Sequence, residues 1–245
     1  MQPDPLWKRI RFPLLGLFIS GLLIFAVLPF LVVAFEPASP PENVLISNVT
    51  DHQATVSWTT RKATTGLVIA TTDKLPLFPR WSKSLQKDDG DKSLPRPGFY
   101  TTHHVTLENL KSGKTYTFAI YQGIGKKYIG RLTTAQALSS LPSPNPVYGR
   151  VLDKNKKPIV GAMVYLRAKN GSKSSTLLSA LTNLSGRWSL DLGNLRTEDF
   201  KSAFPTSAST VEEVLIYAGT KGTGKATTPP GKDKPWPDLI VTNEK

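Results

Sequence analysis

From Phe12 to Phe35 no residue is charged, and most are Leu, Ile, Val or Phe. At a helical rise of about 1.5 Å per residue such a run reaches roughly 35 Å, enough to cross a hydrocarbon layer of about 30 Å. Lys8, Arg9 and Arg11 crowd its N-terminal side and Glu36 opens the other. The positive-inside rule then predicts a cytoplasmic head over 1–11, a transmembrane helix over 12–35 and export of everything after it. Cleavage is the competing reading, because Val32-Val33-Ala34 meets the small-residue rule of a signal peptidase. The apolar run exceeds the roughly 7–15 residues of a signal-peptide core, so the expectation is a retained, single-pass anchor.

Export changes the meaning of the charge. The chain carries 31 Lys and Arg against 18 Asp and Glu, a net charge of +13. On an exported domain this excess points to acidic polymer or lipid headgroups, and nucleic acid is not an expected partner. There is no cysteine among the 245 residues, which excludes disulfides, thiolate nucleophiles and sulfur-ligated zinc. Imidazole chemistry is confined to His52, His103 and His104.

After a proline-bearing spacer over 36–43, the pattern is one of short strands. Ala54, Val56 and Trp58 alternate with Thr55, Ser57 and Thr59, and Tyr116, Phe118 and Ile120 alternate with Thr115, Thr117 and Ala119. Period two marks half-buried strands. Further β-rich runs lie at 44–46, 67–70, 105–107 and 128–132. A polar insertion over 73–98 interrupts this first series, assigned to 44–135. Residues 136–146, rich in Ser and Pro, read as a linker. A second series over 147–242 has runs at 147–151, 163–167, 177–182, 188–192, 214–217 and 239–241. No stretch after Phe35 carries an apolar stripe of helical period. The expected fold is all-β: two tandem Ig-like/transthyretin-like β-sandwiches after one N-terminal transmembrane helix.

Two resemblances sharpen this. Trp58, together with Leu107-Glu-Asn-Leu110-Lys-Ser-Gly113-Lys-Thr-Tyr116, resembles a fibronectin type III domain. That likeness implies a tyrosine corner in which the Tyr116 hydroxyl meets nearby backbone. Thr102-His103-His104 is similar to the N-terminal sandwich attached to purple acid phosphatases. In the second series, Gly149-Arg-Val-Leu-Asp153, Pro158-Ile-Val-Gly161-Ala162-Met-Val164-Tyr-Leu166 and Thr182-Asn-Leu-Ser-Gly186-Arg-Trp188 resemble the carboxypeptidase regulatory-like, transthyretin-like domain. Both families supply accessory domains more often than active sites, so function is sought in side chains.

No catalytic residue, metal ligand or cofactor is expected. Neighbouring His103 and His104 on a strand point to opposite faces and cannot both grip one ion, so His103 is expected to be packed and His104 solvated. The metal-binding motifs of the phosphatases and the His-x-x-Glu of zinc carboxypeptidases are absent. Asp88, Asp89 and Asp91 lack the spaced ligands of a calcium loop and read as a solvated turn. Gly219-Thr-Lys-Gly-Thr-Gly224-Lys225-Ala226 approaches a phosphate-binding loop, but Ala226 stands where Ser or Thr must hold magnesium and Pro229-Pro230 blocks the following helix. It reads as a flexible basic loop.

The candidate binding residues are therefore loop aromatics and a basic flank: Phe78 and Trp81 in the insertion, Trp236 in the loop 219–237, and Lys154, Lys156, Lys157 and Lys169. If the first two strands of the second series form a hairpin, these lysines lie on one side of it with Arg150, Arg167 and Lys173. The expected role is a non-catalytic cell-surface protein, binding or spacing at the envelope. Its partners would be the membrane and either anionic polysaccharide or another surface protein. An accessory subunit or degenerate relative of an exported hydrolase, and a component of an envelope or secretion assembly, are the alternatives.

Overall fold

A computed structural model describes residues 20–22, 39–76, 82, 84–122, 125–207, 209–229 and 231–242, with the backbone alone for 125–127. The expected span Phe12–Phe35 lies outside these residues except for 20–22, which are helical. Among the described residues no helix is long and apolar enough to cross a membrane.

The first half contains seven strands among the described residues: β1 (Glu42–Ser47), β2 (Ala54–Thr64), β3 (Leu67–Thr71), β4 (Leu85–Lys87), β5 (Tyr100–Leu107), β6 (Thr115–Gln122) and β7 (Gly125–Thr133). They pair antiparallel into two sheets, β1-β2-β5 and β4-β3-β6-β7. Between the sheets lie Ala54, Val56 and Trp58 of β2, with Val105, Leu107, Val68, Phe118 and Ile120. Alternation put these side chains on the inner faces, and burial of large aliphatic and aromatic groups holds the sheets together. The tyrosine corner is present: the Lys111 N–H donates to the Tyr116 hydroxyl at 2.8 Å.

The second half contains β8 (Pro146–Leu152), β9 (Met163–Asn170), β10 (Lys173–Ser174), β11 (Leu178–Leu181), β12 (Arg187–Asp191), β13 (Val211–Tyr217), β14 (Thr223–Thr228) and β15 (Leu239–Ile240). One sheet is β12-β8-β15, with β15 parallel to β8. The other is β10-β9-β13-β14, with β11 also on β9. Val147, Val164, Leu166, Trp188, Val214 and Ile216 are among the residues of the core between them.

Two expectations fail here. β8 and β9 are consecutive yet belong to different sheets, so the hairpin on which a single basic flank depended does not form. The loop 219–237 is not a free basic loop: Gly219–Lys221 is a 3-10 turn, and β14 pairs with β13 from Thr223 to Thr228. That pairing satisfies backbone groups an open loop would leave to water.

Residues Ala38–Lys245 form one compact unit. The segment read as a linker is tied at both ends. The Gln136 N–H donates to the Phe200 carbonyl at 3.0 Å, the Asn145 N–H to Asp191 Oδ1 at 2.7 Å, and the Leu192 N–H to the Asn145 carbonyl at 3.0 Å. Phe200, from the second half, packs against the first half's core. Most telling is β2, which is buried on both faces: Thr55 and Ser57 are 0% exposed, like Val56 and Trp58. Its polar face is covered by the second half.

Candidate functional site

The buried polar groups converge on β5 and the turn before it. Strand alternation sends His103 inward and His104 outward, and each meets one member of the Asp88-Asp89 pair. These aspartates sit at the start of a 3-10 turn, Asp89–Asp91, where Asp88 Oδ1 accepts from the Gly90 N–H at 3.1 Å.

The inner chain runs from Asp88 Oδ2 to His103 Nδ1 at 3.0 Å and from His103 Nε2 to Thr64 Oγ1 at 3.0 Å. With the Gln122 amide turned so that both of its ends find partners, its oxygen accepts from Thr64 Oγ1 at 3.1 Å and Trp58 Nε1 at 3.2 Å, and its nitrogen donates to the Ser39 carbonyl at 3.0 Å. The imidazole stacks on the Trp58 indole at 4.7 Å, tilted by 13°. Gly66 makes room for this: a Cβ there would stand 2.5 Å from His103 Nδ1 and 3.1 Å from Asp88 Oδ2.

The outer chain crosses between the halves. Asp89 Oδ2 lies 2.6 Å from His104 Nδ1, and His104 Nε2 lies 2.8 Å from Ser179 Oγ on β11. Burial alone would raise the Asp89 carboxyl. The His104 hydrogen bond and charge, the Thr106 hydroxyl and the Lys92 ammonium outweigh it and hold the group below its ordinary 3.8.

Asp–His–Ser in this order is the connectivity of a nucleophilic relay. The surroundings of Ser179 give it a different job. Its Oγ also lies 2.6 Å from Ser47 Oγ and accepts from Asn48 Nδ2 at 3.1 Å, which fills a hydroxyl's one donor and two acceptor positions. The Ser179 N–H donates to Asn48 Oδ1 at 2.8 Å, and Asn48 Nδ2 also donates to the Ser179 carbonyl at 2.9 Å. The residue is 4% exposed. The arrangement clasps one β half to the other. Alongside it, the Tyr165 hydroxyl of β9 donates to Ser57 Oγ at 2.8 Å and Thr102 Oγ1 donates to the Gly161 carbonyl at 2.7 Å.

Several sequence expectations are corrected by this geometry. His104 is not solvated; it is 5% exposed because the second half covers its strand face. The aspartate cluster is not a solvated turn: Asp88 and Asp91 are 1% exposed, and Asp91 Oδ1 accepts from the Gly98 N–H and the Tyr100 hydroxyl, both at 2.8 Å. Burial, then the Asp91 hydrogen bond and charge, push the Tyr100 phenol up to about 12. Trp236 is not a surface contact. It is 2% exposed, packs on Trp188 at 6.1 Å between ring centroids, and donates from Nε1 to Glu212 Oε2 at 3.1 Å. Around that bond, burial and the neighbouring Asp233 raise the Glu212 carboxyl to about 7.

Phe78 and Trp81 lie outside the described residues. Lys154, Lys156 and Lys157 are exposed on the turn after β8. Lys169 stands apart on β9, bridged to Glu213 at 2.8 Å. Among the described residues, no group of three His, Asp or Glu side chains could hold a metal ion.

Residues 39–135 match the family model described as fibronectin type III domain. The first half is a fibronectin type III domain. The chain also resembles solved structures at low identity. The structure of PhoD shares 12% identity over 48% of this chain and 23% of that chain, with a TM-score of 0.29. The chicken CNTN1 FN1-FN3 domains share 13% over 85% and 67%, with a TM-score of 0.28. BcpA*(D312A), the major pilin subunit of Bacillus cereus, shares 13% over 86% and 71%, with a TM-score of 0.26. This chain thus spans under a quarter of the PhoD chain's length. No curated protein matches the sequence. In the fibronectin type III domain, then, the outer face of β1-β2-β5 is a fixed interface, and the sequence signal for it was the pair of doublets Asp88-Asp89 and His103-His104.

Proposed function

We propose that this is a non-catalytic surface protein whose fibronectin type III domain and second β half form a rigid spacer. In this reading the apolar run Phe12–Phe35 anchors it, with the head inside and the β halves outside. The second half is a carboxypeptidase regulatory-like, transthyretin-like domain, on the motifs from Gly149 to Trp188.

The observation that carries the spacer reading is the buried polar seam built on Asp89, His104, Ser179, Ser47 and Asn48. Tandem domains on a free linker keep their facing surfaces wet. Here the polar face of β2 is buried, and His104, Ser47, Asn48, Ser57 and Thr102 each have a partner across the seam, so separating the halves leaves several polar groups without their bonds at once. A rod of fixed angle holds a contact surface at a set distance from the membrane, which is what a spacer needs.

The absence of cysteine makes the test direct. Spin labels at Lys114→Cys and Leu184→Cys on the detergent-solubilised full chain should give one narrow distance distribution by pulsed electron paramagnetic resonance. A broad distribution overturns the rigid spacer. Hydrolysis of an activated ester that disappears in Ser179→Ala would overturn the non-catalytic reading, and release of the chain from membranes by alkaline carbonate would overturn the anchor.

A further inference from the structure

We propose that the end of the second half built from the turns 153–160 and 183–186 is a docking surface for an anionic lipid bilayer. This goes beyond the spacer role and does not depend on it.

The two turns are held side by side by backbone. The Val151 N–H donates to the Gly186 carbonyl at 2.8 Å, the Ile159 N–H to the Val151 carbonyl at 3.0 Å, and the Gly161 N–H to the Thr182 carbonyl at 3.0 Å. Gly186 is required there: its φ is +69°, and a Cβ would stand 2.6 Å from the Val151 carbonyl oxygen. β15 joins the same end, with Ile240 opposite Leu152 and the Val241 N–H donating to the Leu152 carbonyl at 2.9 Å.

This fixed tip groups three exposed aliphatic side chains: Leu184 is 86% exposed, Val160 47% and Ile240 44%. Around them stand Lys154, Lys156, Lys157 and Arg187, all exposed. The one acid in the turn, Asp153, has its Oδ1 engaged by the Asn155 and Lys157 N–H groups at 2.8 and 2.9 Å. Among the described residues none of the four basic groups is in an ion pair. Elsewhere on this half Arg150 is matched to Asp238 at 2.8 Å and Lys169 to Glu213 at 2.8 Å, while Arg167, Lys173, Lys221 and Lys225 are also outside any ion pair among the described residues but have no cluster of exposed aliphatic side chains beside them. Unmatched positive charge and exposed aliphatic side chains thus coincide at one end.

The combination selects the partner. An acidic polysaccharide would satisfy the lysines but offers no apolar interior to Leu184. A bilayer with anionic headgroups satisfies both, with lysines at the phosphate level and aliphatic tips in the headgroup–acyl boundary.

The full chain bearing Leu184→Cys, labelled with an environment-sensitive fluorophore, is reconstituted into vesicles of phosphatidylcholine alone or mixed with phosphatidylglycerol. The label should shift to the blue only in the mixed vesicles, with the shift reduced by added salt. Removing charge as Lys154→Gln, Lys156→Gln and Lys157→Gln should lower the docked-to-free ratio about fivefold per lysine, with an unchanged melting curve showing that the fold survives. A control label at Leu141→Cys, also exposed but in the 136–146 segment, should not shift. No shift at 184 in anionic vesicles, or an equal shift at 141, overturns the proposal. So does a lysine-dependent retention on acidic polysaccharide without any shift at 184. Chain recovered free of the vesicles bears on the anchor alone, and soluble chain with added vesicles then gives the same readout for the tip.

Discussion

Two adjacent histidines on one strand carry out the same chemistry in two places. His103 links Asp88 to Thr64 inside the fibronectin type III domain; His104 links Asp89 to Ser179 in the other half. Each uses Nδ1 toward a carboxylate and Nε2 toward a hydroxyl. The difference lies in what surrounds them. His103 and Asp88 are at 0% and 2% side-chain exposure, stacked on Trp58, whereas His104 and Asp89 are at 7% and 16%, at the edge of the seam. One strand therefore contributes a cross-link to its own core and a second to its neighbour, with single-residue alternation deciding which.

Unequal surroundings imply unequal costs. Replacing His103 with Leu strands the Asp88 carboxylate in a dry core and should cost about 3–5 kcal/mol, read as a lower midpoint in urea for the whole fold. His104→Leu should cost about 1–3 kcal/mol, because Asp89 keeps the Thr106 hydroxyl at 2.7 Å and Lys92 at 3.2 Å. Its signature is different as well. Amide exchange should quicken at Ser47–Asn48 and Leu177–Ser179 while the Trp58 core stays protected. Equal effects of the two changes, or loss of protection in the core from the second, would erase the distinction.

Acid should separate the seam from the Trp236 contact in opposite directions. Asp89 is held below its ordinary 3.8, so it stabilises the fold above that pH and loses this contribution as pH falls through its lower folded value. Glu212 is raised from 4.5 to about 7. Its charged form is a burden at neutral and alkaline pH, a burden relieved as pH falls through about 7 and gone below 4.5. Melting temperature should therefore rise on going from pH 8 toward 5 in the wild type and stay flat over that range in Glu212→Gln. Asp89→Asn should remove part of the loss seen in stronger acid. A wild-type profile that falls steadily from neutral pH would contradict the Glu212 assignment.

Much of the fold was open to reading because it follows from period two. The inner residues Ala54, Val56, Trp58, Phe118 and Ile120 declare themselves by alternation, and Tyr116 by its corner. What the same rule misassigned is the other face. Thr55, Ser57 and His104 look like solvent-facing residues because local alternation reports polarity and says nothing of what later packs on it. Seam partners such as Asn48 and Ser179 are 131 residues apart, a distance over which no local pattern carries information. Trp236 failed for a related reason: an aromatic in a Pro- and Gly-rich segment reads as exposed until β14 and Trp188 are found beside it. Lys154, Lys156 and Lys157 are exposed, but Lys169 is partly buried and paired with Glu213, and their grouping as one flank depends on a hairpin between β8 and β9 that the sheet order rules out.

The finest cut between core and seam is Tyr165→Phe. The ring is 0% exposed, packs edge-on against Tyr217 at 5.8 Å, and keeps those contacts in the variant. Only the hydroxyl is lost, and with it the bond to Ser57 Oγ across the seam. Ser57 Oγ retains a long contact to the Leu45 carbonyl at 3.4 Å, so it is not left wholly without a partner. The expected cost is about 1 kcal/mol, seen as a small drop in melting temperature with faster exchange confined to the seam. A cost as large as that of His103→Leu would mean the seam and the core melt as one unit. No measurable cost would mean that the seam is held by the Ser179 clasp and the apolar packing of Tyr165 alone, and the comparison between the two histidines would then rest on His104 entirely.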